Sequence, residues 1–229
     1  MTVLDTLGLT RLLQLASPAL PVGAYSYSQG LEWAIESGIV TDAGSVERWI
    51  HDVLQYSAGS FDAPVCWRLM QAWERGDVEE AVRWNAFFRA GRETAELRAE
   101  TLQMGQALDK LLMGLPFCSK RELNRLHHLS PLTFPAAFSF AAHGMGIESH
   151  AALVAYLWSW LENQVMAAMK AVPLGQNAGQ RVLASIGAEL PEIAVRATQL
   201  ADDELSNFTP GLAIASCQHE TQYSRLFRS

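Results

Sequence analysis

Cysteine is scarce in this chain. Cys66, Cys118 and Cys217 are the only three in 229 residues, odd in number and widely spaced. That pattern excludes a disulfide framework and points to a reducing, cytoplasmic setting. Basic charge is also short. Seventeen Lys and Arg against 24 Asp and Glu leave a formal charge of −7 with pI near 5.4, the wrong balance for nucleic acid or an anionic membrane surface. The G-x-x-x-x-G-K-[ST] loop that cradles phosphate is absent, so no nucleotide site of that kind is expected. No period-two alternation of apolar residues reaches strand length, which predicts an all-α chain. The opening MTVLDTLGLTR has no basic n-region and no long apolar run, so no signal peptide is expected. Charge blocks, low-complexity runs and repeats are missing as well.

What the chain does have is apolar mass: a 49% hydrophobic fraction and seven Trp. A chain of this length forms one domain, 1–229, and buries roughly 70% of the surface its unfolded form exposes. The stretch His150–Val172 supplies its centre. At ~100° per residue, Ala152, Ala155, Ser159, Glu162, Asn163, Met166 and Lys170 share one narrow stripe, and apolar residues cover nearly everything else. Glu162-Asn163-Gln164 near its midpoint argues against a membrane span, because each such group in hydrocarbon costs a few kcal/mol, ~2.5 or more for the acid. The expected fold is a helical bundle around this buried helix, with Ser149 as its N-cap and Pro173 as its stop. Gln164 sits among Leu157, Leu161 and Ala168, which predicts either a side-chain hydrogen bond or a subunit seam there.

Shorter helices are predicted around it. Leu7–Ala16 ends before Pro18. The segment Leu20–Gly30 reads as an ordered loop, with Pro21 fixing φ, Gly23 permitting left-handed geometry, and Ser26 or Ser28 capping Leu31–Ser37. Thr41 or Asp42 opens a helix through Leu54, and Pro64 starts another that stops at Gly76. Asp77 to Glu80 is a capping-box variant and Ser119 to Glu122 a strict one. Arg92–Met113 reads as one amphipathic helix, Pro135 begins another, and Gly175–Ala188, Glu192–Leu200 and Pro210–Gln222 complete the chain.

Candidate chemistry is sparse. Asp202-Asp203-Glu204 is one contiguous acidic run, expected to be solvated in a loop rather than half of a paired Mg²⁺ site. His127 and His128 are adjacent on a helix and diverge by ~100°, wrong for one ion. Cys217 and His219 place a soft sulfur and an imidazole close together, a metal-ligand pair lacking a third and fourth member. On the Arg92 helix, Arg92 and Glu96 read as an outer-face i,i+4 pair worth a few tenths of a kcal/mol. Glu93 falls beside Leu97, where a carboxylate needs an internal cation or a contact from another chain. The C-terminal segment carries Tyr223, Arg225, Leu226, Phe227 and Arg228, residue types that anchor interfaces. Two readings stand for this tail, at about 217–229: it folds back on its own core, or it docks into a partner and orders on binding.

Five blocks carry a resemblance over essentially the whole length: LLQLASPALPVGAYSYSQGLEWA (Leu12–Ala34), RETAELRAE (Arg92–Glu100), QMG (Gln103–Gly105), PLGQNAGQRVL (Pro173–Leu183) and HETQYSRLFRS (His219–Ser229). The chain resembles the urease accessory protein UreF family. Cys217 departs from it, since the family more often has a thioether or apolar residue there, which weakens a Cys–His metal site. The resemblance implies a non-catalytic, all-helical cytoplasmic homodimer without a cofactor. It implies a bridge between a UreD/UreH-type scaffold and a UreG-type GTPase, in an assembly that delivers nickel to apo-urease. The implied partner-binding residues are Tyr25, Ser26, Tyr27, Gln29 and Glu32 in the first block and Arg92, Glu93 and Glu96 in the second. Gln176 and Gln180 in the fourth join them, with His219, Glu220, Tyr223, Arg225, Leu226, Phe227 and Arg228 in the last.

Arg92, Gln176 and Gln180 are also, by residue type, candidates to assist a partner's GTP hydrolysis. Two rival readings remain. One is an all-α enzyme or small-ligand binder with a pocket beside the central helix, recognisable by buried polar side chains facing a cavity. The other is a nickel-binding metallochaperone using Cys217 and His219.

Overall fold

The computed structural model describes residues 5–229; the first four residues of the opening stretch lie outside them. In chain order the helices are α1 (Thr6–Leu15), α2 (Leu31–Glu36), α3 (Ala43–Val53), α4 (Ala63–Arg75), α5 (Val78–Ala90) and α6 (Ala95–Leu112). Then follow α7 (Lys120–His127), α8 (Phe134–Gly144), α9 (Ser149–Ala171), α10 (Gln176–Gly187), α11 (Leu190–Gln199) and α12 (Pro210–Glu220). No strand occurs among the described residues, and the fold is all-α. None of the described helices is long and apolar enough to cross a membrane.

Local signals set most helix ends. Asp42 accepts from the Ser45 amide, Asp77 from the Glu80 amide, and Ser119 and Glu122 form the reciprocal box. Gly76 closes α4 in left-handed geometry at φ 70°. Gly23 is likewise left-handed at φ 77°. At the start of α2, Gly30 is the N-cap residue, while Ser28 Oγ accepts from the Glu32 amide at 3.3 Å.

α9 is the hub, in contact with α1, α2, α3, α4, α8, α10 and α11. Leu153, Leu157, Leu161, Val165 and Ala168 are buried along it; each large aliphatic side chain so buried contributes ~1.5–3 kcal/mol. Three details differ from expectation. The N-cap is Glu148, whose carboxylate accepts from the amides of His150 and Ala151, whereas Ser149 Oγ donates to Glu74 at 2.5 Å. The apolar coat is also incomplete, because Trp158 reaches the surface, while Ala152 and Ala155 of the narrow stripe are buried. Gln164 is buried in the chain's own interior, and its Nε2 has no hydrogen-bond partner.

Two corrections bear on the site. α3 and α4 are one continuous rod, joined by a π-helical segment, Leu54–Asp62. α6 begins at Ala95 with Thr94 as its cap, Thr94 Oγ1 accepting from the Leu97 amide. Arg92 therefore precedes the helix, and the i,i+4 pairing with Glu96 does not form. Instead Arg92 is buried against Asp62, with its guanidinium 4.2 Å from the Phe88 ring centroid. Glu93 is exposed, and no salt bridge involves it among the described residues.

Candidate functional site

The polar chemistry concentrates where the loop before α2, the first turns of α6 and the end of the chain meet. Gly30 makes the approach of α12 tight: a Cβ there would lie 3.0 Å from the Ser216 amide and 3.1 Å from Ala215 Cβ. Beneath that contact, Thr94 and Ser216 hydroxyls are hydrogen-bonded at 2.8 Å. From α12 the carboxylate of Glu220 accepts from the amides of Ala95 and Glu96 at 2.9 and 3.3 Å. It so satisfies donors that the start of α6 would otherwise leave open.

His219 lies in the middle of this junction with no exposed surface. Its Nδ1 faces Glu96 Oε2 at 2.6 Å and its Nε2 faces Glu32 Oε2 at 3.1 Å. Glu96 also accepts from Arg225 Nη1 at 2.6 Å. Glu32 accepts from the backbone amides of Leu226 and Phe227 at 2.6 and 2.9 Å. One carboxylate therefore fixes both the last helix and the tail beyond it.

The final residues run back across the first block. The Arg228 amide donates to Ser26 O at 2.7 Å, and Ser229 O accepts from Ser28 N, Ser28 Oγ and Gln29 N at 2.7, 2.5 and 3.1 Å. Ser229 Oγ donates to Glu100 Oε2 at 2.8 Å, and Gln29 Nε2 donates to Glu100 Oε1 at 2.7 Å. Tyr27 Oη donates to Gln103 Oε1 at 2.7 Å. Burial, with the Glu100 carboxyl nearby, raises the Tyr27 phenol above its ordinary value. α9 contributes from below: Trp160 Nε1 donates to Gln29 Oε1 and Asn163 Nδ2 to Tyr27 O. Phe227 is buried, and Lys170 Nζ stands 5.7 Å from its ring centroid and 5.7 Å from that of Tyr25.

The fold-back reading of the tail thus describes its backbone. Its outer side chains remain free, with Tyr223 fully exposed and Leu226 72% exposed, beside Tyr25 at 61%. The junction gathers Ser26, Tyr27, Gln29, Glu32, Glu96, His219, Glu220, Arg225, Phe227 and Arg228 into one network. It does not gather Arg92 or Glu93, nor Gln176 and Gln180, which are exposed together on α10. Cys217 is exposed whereas both ring nitrogens of His219 are engaged. No group of three or more His, Cys, Asp or Glu among the described residues is placed to hold a metal ion. Sequence reasoning gave no site role to Glu100, Gln103 or Ser229, although all three stand in motifs it singled out, and it read Ser28 only as a candidate helix cap.

Fold and junction together define an all-helical protein whose distinctive site is a strapped-down tail with aromatic and aliphatic side chains turned outward. The sequence model of the UreF family matches residues 40–187. The urease accessory protein UreF of Methylobacillus flagellatus is 55% identical over 221 residues, covering 96% of this chain and 97% of that one. That of Azoarcus sp. is 57% identical, covering 97% of this chain and 96% of its own, and that of Dechloromonas aromatica 54%, covering 97% and 98%. The chain belongs to the UreF family of urease accessory proteins.

Proposed function

We propose that this chain is the non-catalytic bridge of a urease-maturation assembly in the cytoplasm. As a homodimer, it joins a UreD/UreH-type scaffold to a UreG-type GTPase, so that GTP hydrolysis is coupled to insertion of nickel into apo-urease. Nickel is cargo in this reading, and the nucleotide site belongs to the GTPase. The observation that carries it is the tail: Glu32 pins the backbone of Leu226 and Phe227 while Tyr223 and Leu226 project into solvent. An exposed aromatic–aliphatic pair on a pinned backbone binds with little ordering cost. The tail surface is assigned to the scaffold.

Control of the GTPase is assigned to gating by the geometry of the complex. Arg92 is buried in its pair with Asp62, which removes it from the surface as a finger residue. Gln176 and Gln180 are exposed and remain the α10 candidates for orienting an attacking water.

The test is co-purification with the scaffold and the GTPase. Tyr223→Ala with Leu226→Ala is expected to weaken scaffold binding by more than about 1 kcal/mol, and deletion of Ser224–Ser229 to abolish it. Full retention by the deletion variant overturns the tail assignment. Loss of GTP turnover in the assembled complex on Gln176→Ala or Gln180→Ala would replace gating with direct assistance.

A further inference from the structure

A cleft opens between the Ser17–Tyr25 segment and α9, enclosing about 90 Å³ of free space. Its walls are mostly apolar, including Leu20, Met104 and Phe134, with the aromatic side chains Tyr25, Tyr156 and Trp160. Its lining also includes three charged side chains, Asp62, Arg92 and Glu100, each at least nine-tenths buried. A buried charged cluster is poor value for stability, since apolar residues of like volume serve a core as well or better. Ionisable groups held in a cleft at such expense mark a functional site.

One further feature supports that reading. Asp62 is delivered at the end of the π-helical segment Leu54–Asp62, a helix form that is rare and concentrates at functional sites.

The charge count indicates what the cleft takes. Arg92 balances one carboxyl, and no other cation lines the cleft among the described residues. Glu100 is left over; its two partners, Gln29 Nε2 and Ser229 Oγ, are neutral donors. An anion would meet this surplus carboxyl. A neutral apolar guest would leave it protonated and draw nothing from its charge. A cation answers the ionised carboxyl and is at home among aromatic rings.

We propose that this cleft binds an alkylammonium group, its charged head at Glu100 and its stem along Leu20, Met104 and Phe134. The group belongs either to a free amine or to a lysine side chain of another protein. The site adjoins the junction that holds the tail, sharing Gln29 and Glu100 with it, but its occupant is a different chemistry from the scaffold assigned to the outer tail surface.

The probe is n-butylammonium, titrated into the full chain by calorimetry against 1-pentanol, a neutral molecule of similar shape. Saturable binding at least about tenfold tighter than the alcohol is expected, stronger at pH 8 than at pH 6. Across that interval the Glu100 carboxyl, pushed by burial to about 7, becomes charged; Asp62, Arg92, Tyr27 and Tyr156 are the titratable groups around it. Glu100→Gln should reduce affinity by about tenfold or more. Met166→Trp, which narrows the cleft from α9 without altering a charge, should do the same. A capped lysine amide bound as tightly as n-butylammonium marks a lysine as the occupant, and weaker binding marks a free amine. Absence of saturable binding, equal binding of the alcohol, or unchanged affinity in either folded variant overturns the proposal.

Discussion

The carboxylate of Glu32 lies 3.1 Å from Nε2 of His219, across 187 positions of chain. Its two oxygens also receive the amides of Leu226 and Phe227, so a single side chain on α2 holds two successive pieces of the C-terminal region. Removing one member of such a buried group leaves the others unpaired, and that penalty exceeds what the contact contributes net.

Glu32→Ala is therefore expected to destabilise the chain by about 3 kcal/mol in urea unfolding. It should also expose the tail to proteolysis before global unfolding. A loss below about 0.5 kcal/mol, with the tail still protected, would show that Glu32 is incidental to the latch.

The Glu100 carboxyl carries a pH signature. Burial raises it from 4.5 to about 7, so the folded chain holds a proton that the unfolded chain releases first. The favourable contribution is complete below about 4.5 and is lost as pH climbs to about 7, at up to ~1.4 kcal/mol per unit. Denaturation of wild type and Glu100→Gln between pH 5 and pH 8 should show the variant gaining relative stability as pH rises. A constant difference would contradict the buried, proton-holding state.

Gly105 tests the packing of α6 on the segment before α8. A Cβ at this position would stand 2.4 Å from Leu132 O and 2.8 Å from Thr133 C, both backbone atoms that cannot swing aside. Gly105→Ala should lower stability by about 1–3 kcal/mol, despite alanine's better helix propensity of ~1 kcal/mol. Gly175→Ala, where nothing lies within 4 Å, is the control expected to be near neutral.

Asp62 and Arg92 form a pair whose replacements should be non-additive. Asp62→Leu alone leaves the guanidinium buried without its partner and should cost about 3–5 kcal/mol. Adding Arg92→Met should recover most of that loss. Additive losses in the double variant would mean that the two residues do not compensate one another.

Much of the helical outline was legible because its determinants are local. Asp77, Ser119 and Gly76 act within a few residues of themselves, and each does what its neighbours in sequence indicate. Arg92 was misplaced by the same reasoning. The apolar period runs back through the segment, but Thr94 is the cap, and three residues of shift turn a surface pair into an interior one. The π-helical join was invisible because residues 54–62 keep a helical pattern while Pro64 suggests a fresh start. At the site, the tail's residue types announced a sticky surface. That Glu32, Glu96 and Glu100 are the groups holding it depends on contacts across 123 to 195 positions, which no local period encodes.

The seat for residues 225–229 is made from the loop before α2 and the first turns of α6, elements completed early in the chain and anchored on α9. It is thus a ready receptor whose own extremity acts as a tethered ligand. A synthetic peptide copying that extremity would find the same acceptors waiting, and at high enough concentration would compete with the attached copy for them.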